Sequence, residues 1–202
     1  MIDLYFIRHG MTQWNLEKRL QGRSNIPLNE HGRQQISEYR LPQQLKQLQW
    51  FSSPLLRARE TAELLSCNAA SEADLIEMNW GDWEGCTLAQ LRAIDGEGFS
   101  RSEAMGFDLL PPNGESPRMV AQRVTGWIES IDSQSTDRQL GCISHKGVIR
   151  AIYALASGWD MQDKPPQKLD YHCAQHFRFD QGRWSVAELN IKLAYCNNRG
   201  TS

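Results

Sequence analysis

The chain has 202 residues, of which 40% are hydrophobic and 23% charged, with a formal net charge of −2; this is the composition of one ordinary globular unit that buries roughly 70% of its unfolded surface. A near-neutral balance excludes the broad basic surface that nucleic acid or an anionic membrane requires, so any anion has to be held by local charge. Five cysteines, Cys67, Cys86, Cys142, Cys173 and Cys196, are odd in number and contain no CxxC pair, which predicts reduced thiols rather than a disulfide framework or a zinc site.

Residues 4–7 form an apolar run interrupted by Arg8. Four residues are too few for a signal-peptide core or for a membrane span of about 20, so the run predicts a buried strand and a cytosolic protein. A loop over 8–27 follows, carrying Thr12, Trp14, Asn15, Lys18, Arg19, Gln21, Gly22 and Arg23. Asn29 suits the N-cap of a helix reaching to about residue 40, stopped by Pro42. Residues 48–52 predict a strand, and Ser53-Pro54 a cap with proline at the first position of a helix over 55–66, which places Arg57 in its first turn. An extended piece over 75–78 leads into Trp80-Gly81-Asp82-Trp83-Glu84-Gly85, and Thr87 caps a helix to residue 94.

Residues 95–115, rich in glycine and carrying Pro111-Pro112, predict an excursion over the sheet edge. Ser116 caps an amphipathic helix with Met119, Val120, Val124, Trp127, Ile128 and Ile131 at helical spacing. A strand over 140–143, a helix over 147–156 and a hairpin around Asp180-Gln181-Gly182 complete the chain. Strands alternating with helices predict a single domain over 1–202, a three-layer α/β/α sandwich whose mostly parallel sheet has an antiparallel edge. Side chains at the carboxyl ends of such strands converge, and here those ends carry Arg8-His9-Gly10 and Ser144-His145-Lys146-Gly147.

Arg8 and Arg57 offer forked donors matched to phosphate oxygens, and Arg57 sits where a helix N-terminus already favours an anion. Breaking a phosphate ester needs more than positive charge. No cysteine lies in a phosphate-cradling glycine-rich loop and no GxSxG elbow is present, whereas imidazole, with an ordinary pKa of about 6.5, is substantially neutral at pH 7 and makes His9 a chemically sound nucleophile.

The ordered set Arg8-His9-Gly10 with Thr12 and Asn15, Gln21-Gly22, the helix start from Pro27 to Gly32, Ser52-Ser53-Pro54-Leu55-Leu56-Arg57-Ala58-Arg59-Glu60-Thr61-Ala62, Gly81-Asp82-Trp83-Glu84-Gly85, Gly114-Glu115-Ser116 and Ser144-His145-Lys146-Gly147 resembles the histidine phosphatase superfamily, the phosphoglycerate mutase-like group in its short bacterial phosphatase branch. The resemblance implies that His9 attacks phosphorus and becomes phosphohistidine. It implies that Arg8, Arg57 and His145 bind the transferred group with Asn15, Gln21 and Gly22 as further contacts, and that Glu77 protonates the leaving oxygen. Glu84 lies close enough to compete for that last role. The implied substrate is a small phosphorylated metabolite and the implied enzyme uses no cofactor and no metal, with neither nucleic acid nor membrane as partner; the oligomeric state is open, a homodimer being one option. The alternatives are mutase-type phosphoryl transfer and a catalytically silent phospho-ligand-binding protein. His172 and His176, with Cys173 between them, have the i,i+4 spacing of a zinc site but no further ligand nearby, His31 reads as a helix-surface residue, and Trp80 and Trp83 fit a pocket wall and a core equally well. Lys146 departs from the family pattern beside the site.

Overall fold

The apolar run near the N-terminus becomes the central strand of a sheet covered on both faces. The computed structural model describes residues 1–132 and 138–195, so Cys196 lies outside the described residues. The strands are β1 (Ile2–Arg8), β2 (Tyr39–Arg40), β3 (Gln49–Ser52), β4 (Ala69–Ser71), β5 (Arg138–Ser144), β6 (Cys173–Asp180), β7 (Arg183–Lys192) and β8 (Ala194–Tyr195). The α-helices are α1 (Gln13–Leu16), α2 (Glu30–Ser37), α3 (Leu56–Leu64), α4 (Leu88–Ile94), α5 (Gly96–Ala104), α6 (Pro117–Asp132) and α7 (Lys146–Ser157). Among the described residues, six strands form one sheet in the order β4-β3-β5-β1-β6-β7. The pairs β1–β5, β3–β5 and β3–β4 are parallel, and β1–β6 and β6–β7 antiparallel.

Alternation along β1 sends Leu4 and Phe6 into a core with Val120, Val124, Ile149 and Ile152 of α6 and α7, and Tyr5 and Ile7 into a second core with Ile36, Ala58 and Ala62 of α2 and α3. Two covered faces explain why the strand reads as an unbroken apolar run rather than an alternating one. Each fully buried side chain such as Leu4 or Phe6 contributes roughly 1.5–3 kcal/mol.

Local departures from the sequence reading have physical causes. The helix after β3 begins at Leu56 with Leu55 at its cap, and not at Pro54. Ser53 Oγ, expected to cap it, accepts from Leu55 N at 3.3 Å and lies 2.7 Å from His145 Nε2. α2 stops at Ser37 because Tyr39 and Arg40 pair with Tyr195 and Ala194 of β8. Residues 95–115 contain α5, whose Gly98 N donates to Asp95 Oδ1 at 2.8 Å and which buries Phe99; Gly96 and Gly98, poor helix formers, hid it.

The parallel strands bring their carboxyl ends together, and the ladder continues just beyond them. His9 N donates to Ser144 O at 3.0 Å and Ser53 N to Ile143 O at 3.0 Å. Gly10 N donates to Thr61 Oγ1 at 3.0 Å, and that hydroxyl donates to Arg57 O at 2.6 Å. Thr61 is fully buried, so Thr61→Val keeps the shape and strands a buried N–H. We expect a loss of about 1–3 kcal/mol, read as a lower urea midpoint at unchanged m.

Candidate active site

β1 delivers Arg8 and His9, the first turn of α3 delivers Arg57, and the step from β5 into α7 delivers His145. The His9 and His145 ring centroids stand 5.1 Å apart with planes at 58°. His9 Nδ1 is 2.6 Å from Gly10 O. A carbonyl only accepts, so Nδ1 carries the proton and Nε2 keeps its lone pair. His9 is buried, and that burial, then the Arg8 and Arg57 charges, holds its pKa well below 6.5. The ring is therefore neutral at neutral pH.

Arg57 is fully buried, and its donors go to Ser24 O at 2.8 Å, Gly22 O at 2.7 Å and His145 Nδ1 at 3.2 Å. Burial lowers its pKa to about 10, against the opposing pull of Glu77, and it stays cationic at neutral pH. Because Arg57 donates to His145 Nδ1, the proton of that ring sits on Nε2 and points to Ser53 Oγ. His145 thus presents a neutral ring with both nitrogens engaged, its pKa held well below 6.5 by burial and then by Arg57. A dianion placed between the rings favours their protonated forms. Arg8 Nε is buried with no hydrogen-bond partner. Buried polar atoms are almost always paired, so an unpaired guanidinium N–H beside Arg57 and two imidazoles is a donor suited to an anion.

Glu77 is buried, with Oε1 accepting from Met78 N at 2.8 Å and Oε2 from Gly147 N at 3.2 Å. Burial raises its pKa above the usual 4.5, opposed by Arg57, the two backbone donors and Arg8. Its segment is braced from behind: Ser144 Oγ donates to Leu75 O at 2.7 Å, and Arg123 donates to Asp74 O, to Ile76 O at 2.6 Å and to Glu115 Oε1 at 2.8 Å. Glu84, the rival carboxylate, accepts from Arg23 N at 2.7 Å, Ser24 N at 3.0 Å and Ser24 Oγ at 2.7 Å. It clamps the loop whose carbonyls hold Arg57. Both acids accept from backbone N–H groups and burial separates them: Glu77 is buried, with Arg57 and Arg8 acting on it, whereas Glu84 is half-buried and also holds Ser24 Oγ.

The remaining candidates divide. Asn15 Oδ1 accepts from Thr12 N at 3.1 Å, in the box that caps α1, and Asn15 lines a cavity of about 50 Å³ with Arg8, His9 and Tyr171. Gln21 is buried, with Oε1 accepting from Thr12 Oγ1 at 3.0 Å. Gly22 contributes its carbonyl to Arg57, and at φ +50° a Cβ there meets the Glu84 carboxylate, so no side chain fits. Arg19 bonds Glu17 and Gly85 O, and Arg23 lies 3.6 Å from Glu115. Trp80 and Trp83 stack at 6.3 Å, half-buried, with Phe99 5.1 Å from Trp83. His31 is exposed.

His172 Nδ1 meets Gln35 Nε2 at 3.1 Å, whereas His176 Nε2 meets Asp3 Oδ1 at 2.8 Å and stacks on Tyr5, so the two histidines have separate partners. Among the described residues no group of three or more His, Cys, Asp or Glu side chains is placed to hold a metal, and no helix is long and apolar enough to cross a membrane. Sequence reasoning missed Ser53 as a histidine partner, Arg123 as a brace and Tyr171 as a pocket wall. No local pattern marks them, since each acts across a tertiary contact.

Residues 4–192 match the family model described as the histidine phosphatase superfamily (branch 1). Curated relatives include an uncharacterized phosphatase, PhoE, of Bacillus subtilis, 27% identical with 95% of each chain covered. Another is the adenosylcobalamin/alpha-ribazole phosphatase of Escherichia coli, 29% identical over 95% of this chain and 92% of that one. Among solved structures, a mycobacterial glucosyl-3-phosphoglycerate phosphatase in complex with VO3 superposes with a TM-score of 0.78 at 27% identity, covering 94% of this chain and 99% of that one.

Proposed function

The chain belongs to the histidine phosphatase superfamily, and from that premise we propose that it is a phosphoric monoester hydrolase working through a phosphohistidine on His9. The observation that carries this reading is the state of His9: Nδ1 tied to Gly10 O, Nε2 with its lone pair, and a neutral ring next to two guanidinium groups. In the first step Nε2 attacks phosphorus in line and the ester P–O bond breaks; its electron pair leaves on the alkoxide oxygen, which takes the proton of Glu77. Gly10 O faces the positive charge that develops on the ring, while Arg8 and Arg57 hold the non-bridging oxygens. In the second step water gives a proton to the Glu77 carboxylate and attacks phosphorus, and the P–N electron pair returns to Nε2. The products are the alcohol and inorganic phosphate, and Glu77 ends as it began.

In this reading His145 and the Gly22 carbonyl position Arg57, Asn15 lines the pocket, and Gln21 supports it through Thr12. The relatives' names speak of alpha-ribazole and glucosyl-3-phosphoglycerate phosphatases, which supports a small phosphorylated metabolite as substrate. We place the activity in the cytosol, in one domain and without a metal. The test is incubation with p-nitrophenyl phosphate in excess chelator. We expect release of inorganic phosphate and, after an alkaline quench, label on His9 that acid removes. Turnover without that label, or no turnover, overturns the reading; conversion of 3-phosphoglycerate to its 2-isomer in place of phosphate release identifies a mutase.

A further inference from the structure

Resting on the phosphatase reading, we propose that Lys146, Arg150 and Tyr171 form a second anion subsite beside the phosphate pocket, so that the preferred substrate is a phosphomonoester carrying another anionic group. The chemistry shared by the possible groups, a carboxylate or a further phosphate, is negative charge close to the phosphorylated oxygen.

Lys146 and Arg150 lie four residues apart at the start of α7, which puts them on one helix face, where like charges repel. Lys146 also sits at the positive end of the helix dipole, where cations are disfavoured. Helix stability argues against this pair, and local rules broken together at one place point to function. Among the described residues neither cation has a carboxylate within ion-pair distance; Glu77 is the acid whose charge acts on Lys146, and its two oxygens accept from Met78 N and Gly147 N.

Both cations rest against rings instead. Lys146 Nζ lies 5.5 Å from the centre of Tyr171 and Arg150 Cζ 4.9 Å from that of Trp159. The same Tyr171 ring lies 5.4 Å from Arg8 Cζ, the guanidinium whose Nε has no partner, and it lines the cavity shared with His9 and Asn15. Tyr171 thus links the phosphate-binding arginine to the outer cations, and Lys146, partly covered by that ring, keeps access to solvent. Burial, then the charges of Arg150 and Arg8, pulls the Lys146 pKa below 10.5; an anion between these groups relieves that repulsion.

Calorimetric binding to His9→Ala protein, which holds ligands without turning them over, tests the subsite with three probes. Glycerol 3-phosphate has no second charge, 3-phosphoglycerate adds a carboxylate, and glycerol 1,3-bisphosphate adds a phosphate. We expect one of the doubly anionic probes to bind roughly tenfold or more tightly than glycerol 3-phosphate, a preference that falls to about one- to twofold when Lys146→Gln and Arg150→Gln are added. Lys146→Gln alone is expected to give an intermediate ratio. Equal affinity for all three probes, or a preference that survives both substitutions, overturns the proposal. The ratio is read without turnover, so its failure is distinct from failure of the phosphatase reading, which rests on phosphate release from p-nitrophenyl phosphate by the native protein.

Discussion

His9→Ala is expected to lower kcat for p-nitrophenyl phosphate by at least about 10⁴-fold, the scale seen when a covalent nucleophile is removed. The expectation rests on the lone pair left at Nε2 by the 2.6 Å Nδ1 contact to Gly10 O. Water lacks a comparably placed attacking atom, and the arginines alone hold the phosphoryl group without transferring it. Inorganic phosphate is still expected to bind, because Arg57 keeps its carbonyl partners, Ser24 O and Gly22 O. Steady-state assay and labelling read both sides: residual activity within tenfold of native, or label retained elsewhere on the chain, would displace His9 from the mechanism.

Glu77→Gln is expected to slow hydrolysis of an alkyl phosphate by about 10²- to 10⁴-fold, the usual worth of a general acid. Phosphorylation of His9 by p-nitrophenyl phosphate is expected to slow far less, since nitrophenolate departs without a proton. An equal loss for both esters means that Glu77 is not the donor. The pH profile carries the same assignment. Activity requires neutral His9, so it falls as acid protonates that ring, at a pH well below 6.5. It also requires protonated Glu77, so for alkyl esters it falls as pH rises through a carboxyl pKa lifted above 4.5 by burial. The profile of kcat/KM for alkyl esters is therefore bell-shaped, and Glu77→Gln removes the alkaline limb.

Much of this was legible in the chain because the groups proposed to bind phosphate stand at the ends of short apolar runs. Arg8 and His9 follow 4–7, and His145 follows 140–143, and a sheet with both faces covered leaves such runs unmistakable. The supporting shell was not legible. Ser53 looked like a helix cap, since serine before proline usually is one, but the hydroxyl faces His145 from 92 positions away. Glu77 and Glu84 share a neighbourhood and a residue type, so only burial and hydrogen-bond partners separate them. Arg123 sits on α6 beside the apolar stripe with nothing local to announce that it braces the backbone at Asp74 and Ile76.

The placement of β1 has a consequence for biogenesis. β1, which carries Arg8 and His9, is synthesised before both of its neighbours, residues 138–144 on one side and 175–179 on the other. Pairings this distant close large loops before they return any contact energy, which makes them slow. The nascent chain therefore holds Arg8 and His9 on an apolar segment with bare hydrogen-bonding edges until residues 175–179 have been made. Release before about residue 180 leaves one of those edges open to self-association. Chaperone capture of chains truncated before residue 175, and lack of activity in such fragments, are the cellular signature of a strand synthesised before both of its partners.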